Sequence, residues 1–116
     1  MLVGVDGTVR AVDVDEAARV AASGEVLLLD VREDEEWAAG RAPGAVHAPM
    51  SRLRQDTVPR DRPVLVLCRV GGRSAAVTQA LDQLGYDVVN VSGGMLAWSA
   101  AGLPVVRDDG RPGTVV

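Results

Sequence analysis

The sequence predicts an α/β domain built on a mostly parallel five-stranded sheet with helices on both faces. Two observations predict it. Apolar runs at residues 26–30, 64–68 and 88–91 carry almost no polar residue, the mark of strands buried on both faces. Between them lie segments with apolar residues three and four apart, several of them closed by glycine. Strands alternating with helices stack as a sheet between helical layers.

Each element has its own signal. Residues 8–12 are a short apolar stretch read as a first strand. Asp13 is a good N-cap, with Glu16 three residues on as in a capping box, and Val14, Ala17, Ala18 and Ala21 supply a helical stripe that Gly24 stops. After the strand at 26–30, Glu33, Asp34, Glu35 and Glu36 load the start of a short helix with the charge its dipole favours, and Gly40 ends it. Ala42, Pro43 and Gly44 make a turn, residues 45–47 a short strand, and residues 49–55 one or two helical turns. Residues 64–68 are the strongest strand. In the helix that follows, Val77, Ala80, Leu81 and Leu84 form the predicted buried face, capped by Gly85. A strand at 88–91, a turn at Ser92, Gly93 and Gly94, and a helix at 95–100 stopped by Gly102 and Pro104 complete the pattern. Residues 1–106 are read as one domain, and the polar stretch 107–116 as a loosely held tail.

Composition narrows the function. A chain of 116 residues, 47% of them apolar, buries roughly two-thirds of its unfolded surface without staples. Its single cysteine forms no internal disulfide, which suits a reducing, cytoplasmic setting. The first ten residues contain no long apolar stretch, so neither a signal peptide nor a membrane span is expected. The net charge of −4, with all twelve basic residues arginine, argues against a nucleic-acid partner. One cysteine and one histidine are too few soft ligands for a metal centre, and no cofactor is expected.

Cys68 carries the chemistry. It closes an apolar run and opens the segment Arg69, Val70, Gly71, Gly72, Arg73, Ser74, which feeds a helix N-terminus. Such a loop aims several backbone N–H groups at one spot. With the helix dipole and two arginines, these groups draw a thiol pKa from ~8.5 toward neutrality. If the strands are parallel, Asp30 to Arg32, the Cys68 loop, and Ser92 to Gly94 all meet at one rim of the sheet. A thiolate ringed by donors attacks an electrophile and holds an anionic adduct, and it must be reachable from solvent to do so. The bland readings stand beside this one. A lone cysteine at a strand end is often a small buried hydrophobe, His47 is more often structural than a base, and the acidic run at 33–36 reads as a solvated helix start.

The loop from Cys68 to Ser74 resembles the active-site loop of the rhodanese sulfurtransferases. Asp30-Val31-Arg32-Glu33, Glu36-Trp37, Gly40 and Pro43-Gly44-Ala45 resemble further signatures of that family, as do Ser92-Gly93-Gly94, Trp98, Gly102 and Pro104. The resemblance departs at Arg41-Ala42, where the family usually has His-Ile. It implies a single rhodanese-like domain in which Cys68 takes the outer sulfur of a donor such as thiosulfate and passes it, as a persulfide, to a thiophilic acceptor. By the same resemblance the amides from Arg69 to Ser74 cradle the persulfide, with Gly71 and Gly72 supplying the required φ values. Arg69 and Arg73 attract a small anionic donor, and Asp30 or Arg32 braces the loop. The donor or acceptor in the cell is then a small molecule or another protein; oligomeric state is open. Two rivals are a non-catalytic or carrier module relaying persulfide between proteins, and a phosphatase of the related fold. Only four residues separate Cys68 from Arg73, a short cradle for a phosphate.

Overall fold

The computed structural model describes residues 4–6 and 9–116. Thr8, the expected start of the first strand, lies outside them. In chain order the strands are β1 (Gly4–Asp6), β2 (Val9–Val12), β3 (Leu27–Asp30), β4 (Val46–His47), β5 (Val64–Leu67) and β6 (Val88–Val91). The helices are α1 (Val14–Ala21), α2 (Asp34–Ala39), α3 (Gly72–Gln83) and α4 (Gly94–Ala100), with two 3₁₀ turns at Met50–Arg52 and Gln55–Thr57. The sheet order is β1-β2-β6-β5-β3-β4. Strands β2 to β6 pair in parallel as the sequence predicts, and β1 adds an antiparallel border strand on β2.

The alternation of a strand sorts its side chains onto two faces. Leu28, Leu65, Leu67, Val89 and Val91 pack with Val14 and Ala17 of α1 and Met95 and Trp98 of α4. Leu27, Leu29, Val64, Val66 and Val88 pack with Val77 and Leu81 of α3, and with Val58 and Tyr86. Full burial of a Val or Leu side chain stabilises the fold by roughly 1.5–3 kcal/mol. Two cores sharing one sheet therefore hold the three central strands firmly in register, and their C-terminal ends form a fixed platform.

Three local expectations change. The Asp13 carboxylate caps α1 by accepting from the Glu16 N–H at 2.9 Å, but the Glu16 side chain turns to Arg19 and leaves the box half made. Helix α3 buries Ser74, Val77, Thr78 and Leu81, while Ala80 and Leu84 face solvent. Residues 107–116 are tied down. Val106 bridges both Arg41 and Pro112, the Arg41 guanidinium pairs with Asp108, and the Thr114 N–H donates to the Ala39 carbonyl at 2.9 Å. Backbone pairing holds this segment despite its polar composition. No helix among the described residues is long and apolar enough to cross a membrane.

Candidate active site

The ends of β3, β5 and β6 are neighbours, so Asp30, Cys68 and Ser92 come to one rim as the parallel reading requires. Cys68 is the first residue past β5. Its Sγ accepts the Gly71 N–H at 3.1 Å and the Ser74 hydroxyl at 3.2 Å. Helix α3 begins at Gly72, and its first-turn N–H groups have no partner within the helix, so its positive end faces the thiol. Gly71 makes the turn possible: at φ 108 it lies where side chains are strained. Asn90, buried in β6, donates to the Gly71 carbonyl at 3.3 Å and fixes that turn from below.

Two forces act on the thiol in opposite directions. Burial pushes its pKa up. The Ser74 hydroxyl, with the backbone N–H groups of Ser74, Gly71 and Val70, pulls it down further, and the net direction is below the ordinary cysteine value. The thiol is also set deeper than a reachable nucleophile is expected to be, since Cys68 is only 1% exposed. The reason is local. Its side chain joins the core beside Val66 and Val77, and Gly71 and Ser74 of the following segment donate to its sulfur. In that loop Val70 is 56% exposed and Gly72 is exposed as well.

Both loop arginines, expected to attract an anionic donor, have partners within the chain. Both terminal nitrogens of Arg73 grip the Glu36 carboxylate, at 2.7 and 2.8 Å. Glu36 also accepts the Glu33 N–H at 3.0 Å. The bonds to Arg73 bring the Glu36 carboxyl down to about 2, and Arg73 is raised in turn. Arg69 donates its Nε to the main-chain oxygen of Val116 at 3.0 Å. The acidic run at 33–36 is thus more than a solvated helix start, since one of its members clamps the cysteine loop. Gly72 differs from expectation too: it has no positive φ, and a Cβ there meets no atom within 4 Å.

Asp30 and Arg32, both fully buried, brace the site at one remove. Arg32 spans both Asp30 oxygens, at 3.0 and 2.8 Å, and donates to the carbonyls of Glu36 and Gly40. A buried pair of this kind costs ~3–5 kcal/mol when one partner is removed. It fixes α2, and α2 carries Glu36 to Arg73. His47 is structural: its Nε2 lies 2.8 Å from the Arg32 carbonyl, and its ring stacks on Trp37 at 4.6 Å. Trp98 packs in the core with its Nε1 on the Pro104 carbonyl.

The sequence marks Ser92 to Gly94 chiefly as a turn, and the structure gives it a second duty. The start of α4 presses onto the cysteine loop, with Met95 N–H on the Cys68 carbonyl at 2.8 Å and Leu96 N–H on the Arg69 carbonyl at 3.0 Å. A Cβ on Gly94 would lie 2.5 Å from both carbonyl oxygens. The lone polar residue in the run at 88–91, Asn90, was the available signal for the support beneath Gly71. Among the described residues no group of three or more His, Cys, Asp or Glu is placed to hold a metal ion.

Comparison with known proteins agrees with this architecture. The family model for the rhodanese-like domain matches residues 13–101. The Bacillus subtilis protein YtwF is 42% identical over 88 residues, covering 74% of this chain and 85% of that one. A sulfurtransferase of Allochromatium vinosum is 41% identical over 95 residues, covering 79% and 89%. Among solved structures, a rhodanese-related protein from Thermoplasma volcanium is 34% identical with a TM-score of 0.74, covering 83% of this chain and 96% of that one. With a strand-end cysteine, a glycine-turned loop and a helix N-terminus joined as the sequence resemblance implies, this chain belongs to the rhodanese-like domain family.

Proposed function

We propose that the protein is a sulfurtransferase that carries sulfane sulfur as a persulfide on Cys68. The observation that carries this reading is the convergence of the Gly71 N–H, the Ser74 hydroxyl and the α3 terminus on a single sulfur. The Cys68 thiolate attacks the outer sulfur of a donor such as thiosulfate. The new S–S bond forms as the old one breaks, and sulfite leaves with the bonding electrons. The persulfide left behind has the same single negative charge as the thiolate, so the same donors serve both states. A nucleophilic acceptor then takes the terminal sulfur and returns the thiolate. Cyanide in this role gives thiocyanate. The loop's exposed lip at Val70 must yield for the donor to reach a thiol so little exposed.

The test is thiocyanate formation from thiosulfate and cyanide by the intact protein, against Cys68→Ala. The wild type is expected to form thiocyanate and the variant none above background, with a persulfide mass adduct confined to Cys68. Equal rates in the two proteins refute transfer from thiosulfate. If iodoacetamide labels Cys68 only in unfolded protein, the thiol is structural and the proposal fails.

A second reading, a carrier relaying persulfide from a partner protein, is favoured by one observation. Both loop arginines are engaged by groups of the chain itself, which weakens the draw on a small anion. Persulfide acceptance from a desulfurase without turnover of thiosulfate would select it.

A further inference from the structure

We propose that residues 113–116 form a strap that sets the charge selectivity of the Cys68 site by holding Arg69. The inference rests on the reading of Cys68 as the sulfur-accepting nucleophile, and it names what decides between anionic and uncharged donors.

The strap lies beyond the residues matched by the family model. The chain that leads into it is held at Arg41, where the sequence departs from the family's usual His: the Arg41 backbone pairs with Val106 in both directions at 2.9 Å, and its guanidinium pairs with Asp108. The segment then crosses the end of α2 at a junction built for close contact. Gly113 N–H donates to the Val105 carbonyl at 2.8 Å and Thr114 N–H to the Ala39 carbonyl at 2.9 Å. A Cβ on Gly40 would lie 2.5 Å from the Thr114 carbonyl oxygen, and one on Gly113 would lie 2.8 Å from that of Ala39. Val115 packs against the core shared by α1 and α4. The strap ends where the Val116 main-chain oxygen accepts from Arg69 Nε at 3.0 Å.

Arg69 is the residue next to Cys68, and the loop's other guanidinium is already closed on Glu36. Arg69 is therefore the one cation of the loop that a modest motion could turn toward an approaching anion. The strap pins it to the main chain, so an anionic donor meets a cradle of amides without a mobile positive charge. A thiol-borne or protein-borne persulfide loses little by this, whereas thiosulfate loses an electrostatic handle.

Alkylation of the single cysteine reads this without requiring sulfur transfer. The probes are iodoacetate, an anion, and uncharged iodoacetamide, and the quantity is the ratio of their rate constants with Cys68. In a chain ending at Gly113, and in Gly113→Ala, the ratio is expected to rise about fivefold, the effect of one opposite charge about 4 Å away in water. The rise should shrink with added salt and vanish when Arg69→Gln is combined with either change. An unchanged ratio in folded strap variants, or a rise that survives Arg69→Gln, overturns the proposal. If circular dichroism shows both variants unfolded, the intact chain decides: a held Arg69 predicts that Arg69→Gln changes its ratio less than twofold, and a larger fall overturns the strap. A strap effect without thiocyanate formation refutes the proposed function alone, and thiocyanate formation without a strap effect refutes the strap alone.

Discussion

On the helix side of the cysteine loop, Arg73 meets Glu36 through two nitrogens, and Glu36 is itself fixed by the Glu33 N–H. On the strand side, Arg69 meets the Val116 main-chain oxygen through one. Arg73 belongs to the region matched by the family model and is held by another part of that region; Arg69 is held by a segment outside it. A bidentate charged pair fixes direction as well as distance, whereas a single bond to one main-chain oxygen fixes only a point. The helix side is accordingly a scaffold for the donors to sulfur, and the strand side is the adjustable one.

The comparison can be broken most severely at the floor both sides share. Gly94→Ala puts a Cβ 2.5 Å from the Cys68 and Arg69 carbonyl oxygens, at a residue whose φ is 57. It is expected to cost about 2–4 kcal/mol, read as a lower denaturation midpoint, with loss of Cys68 reactivity in what still folds. A midpoint within error of wild type would show that α4 does not seat the loop.

Next comes Ser74→Ala on the helix side. It removes the hydroxyl donor, so the thiol pKa moves up and the thiolate fraction at neutral pH falls. Iodoacetamide labelling at pH 7 should slow about tenfold, the low end for loss of one hydrogen bond to a charged group, while the limiting rate at high pH changes little.

Glu36→Gln sharpens the contrast in pH. The folded carboxyl lies at about 2 against an ordinary value of 4.5. A lowered folded value means the pair contributes fully above pH 4.5 and is lost as pH falls toward 2. Because the Arg73 side chain is 36% exposed, the expected loss at pH 7 is only about 0.5–1 kcal/mol. The stabilities of wild type and variant should converge near pH 2, and a gap that persists there would assign the effect to packing.

The smallest effect belongs to Gly72→Ala. A Cβ there meets nothing within 4 Å and the residue opens a helix, so stability should stay within about 0.5 kcal/mol. A large loss would mean that the loop needs more freedom than its one positive-φ position, Gly71, provides.

The strands at 27–30, 64–67 and 88–91 were legible because double-sided burial leaves an almost wholly apolar run, and the site was legible because parallel strands gather their C-terminal ends. Strand β1 was not, since three residues gain their pairing only from the β2 border beside them. The inward face of α3 was misread for a chemical reason. Ser74, Val77, Thr78 and Leu81 keep the i, i+3, i+4, i+7 spacing, but two are polar, and Ser74 is polar because it serves Cys68. Glu36 and Arg73 lie 37 positions apart, and no linear pattern joins them. The tail was misjudged because composition reports solvation, while Arg41 and Ala39 supply backbone partners that composition cannot reveal.

The outermost strands of the sheet have a bearing on solubility at high concentration. One border is Gly4–Asp6 and the other is Val46–His47, three and two residues long. Among the described residues, a neighbouring polypeptide adding itself in cross-β fashion would find only a few free N–H and C=O groups on either border strand, too short a ledge for a stable ladder. The apolar central strands that make the protein stable are thereby screened from the self-association to which such segments are prone.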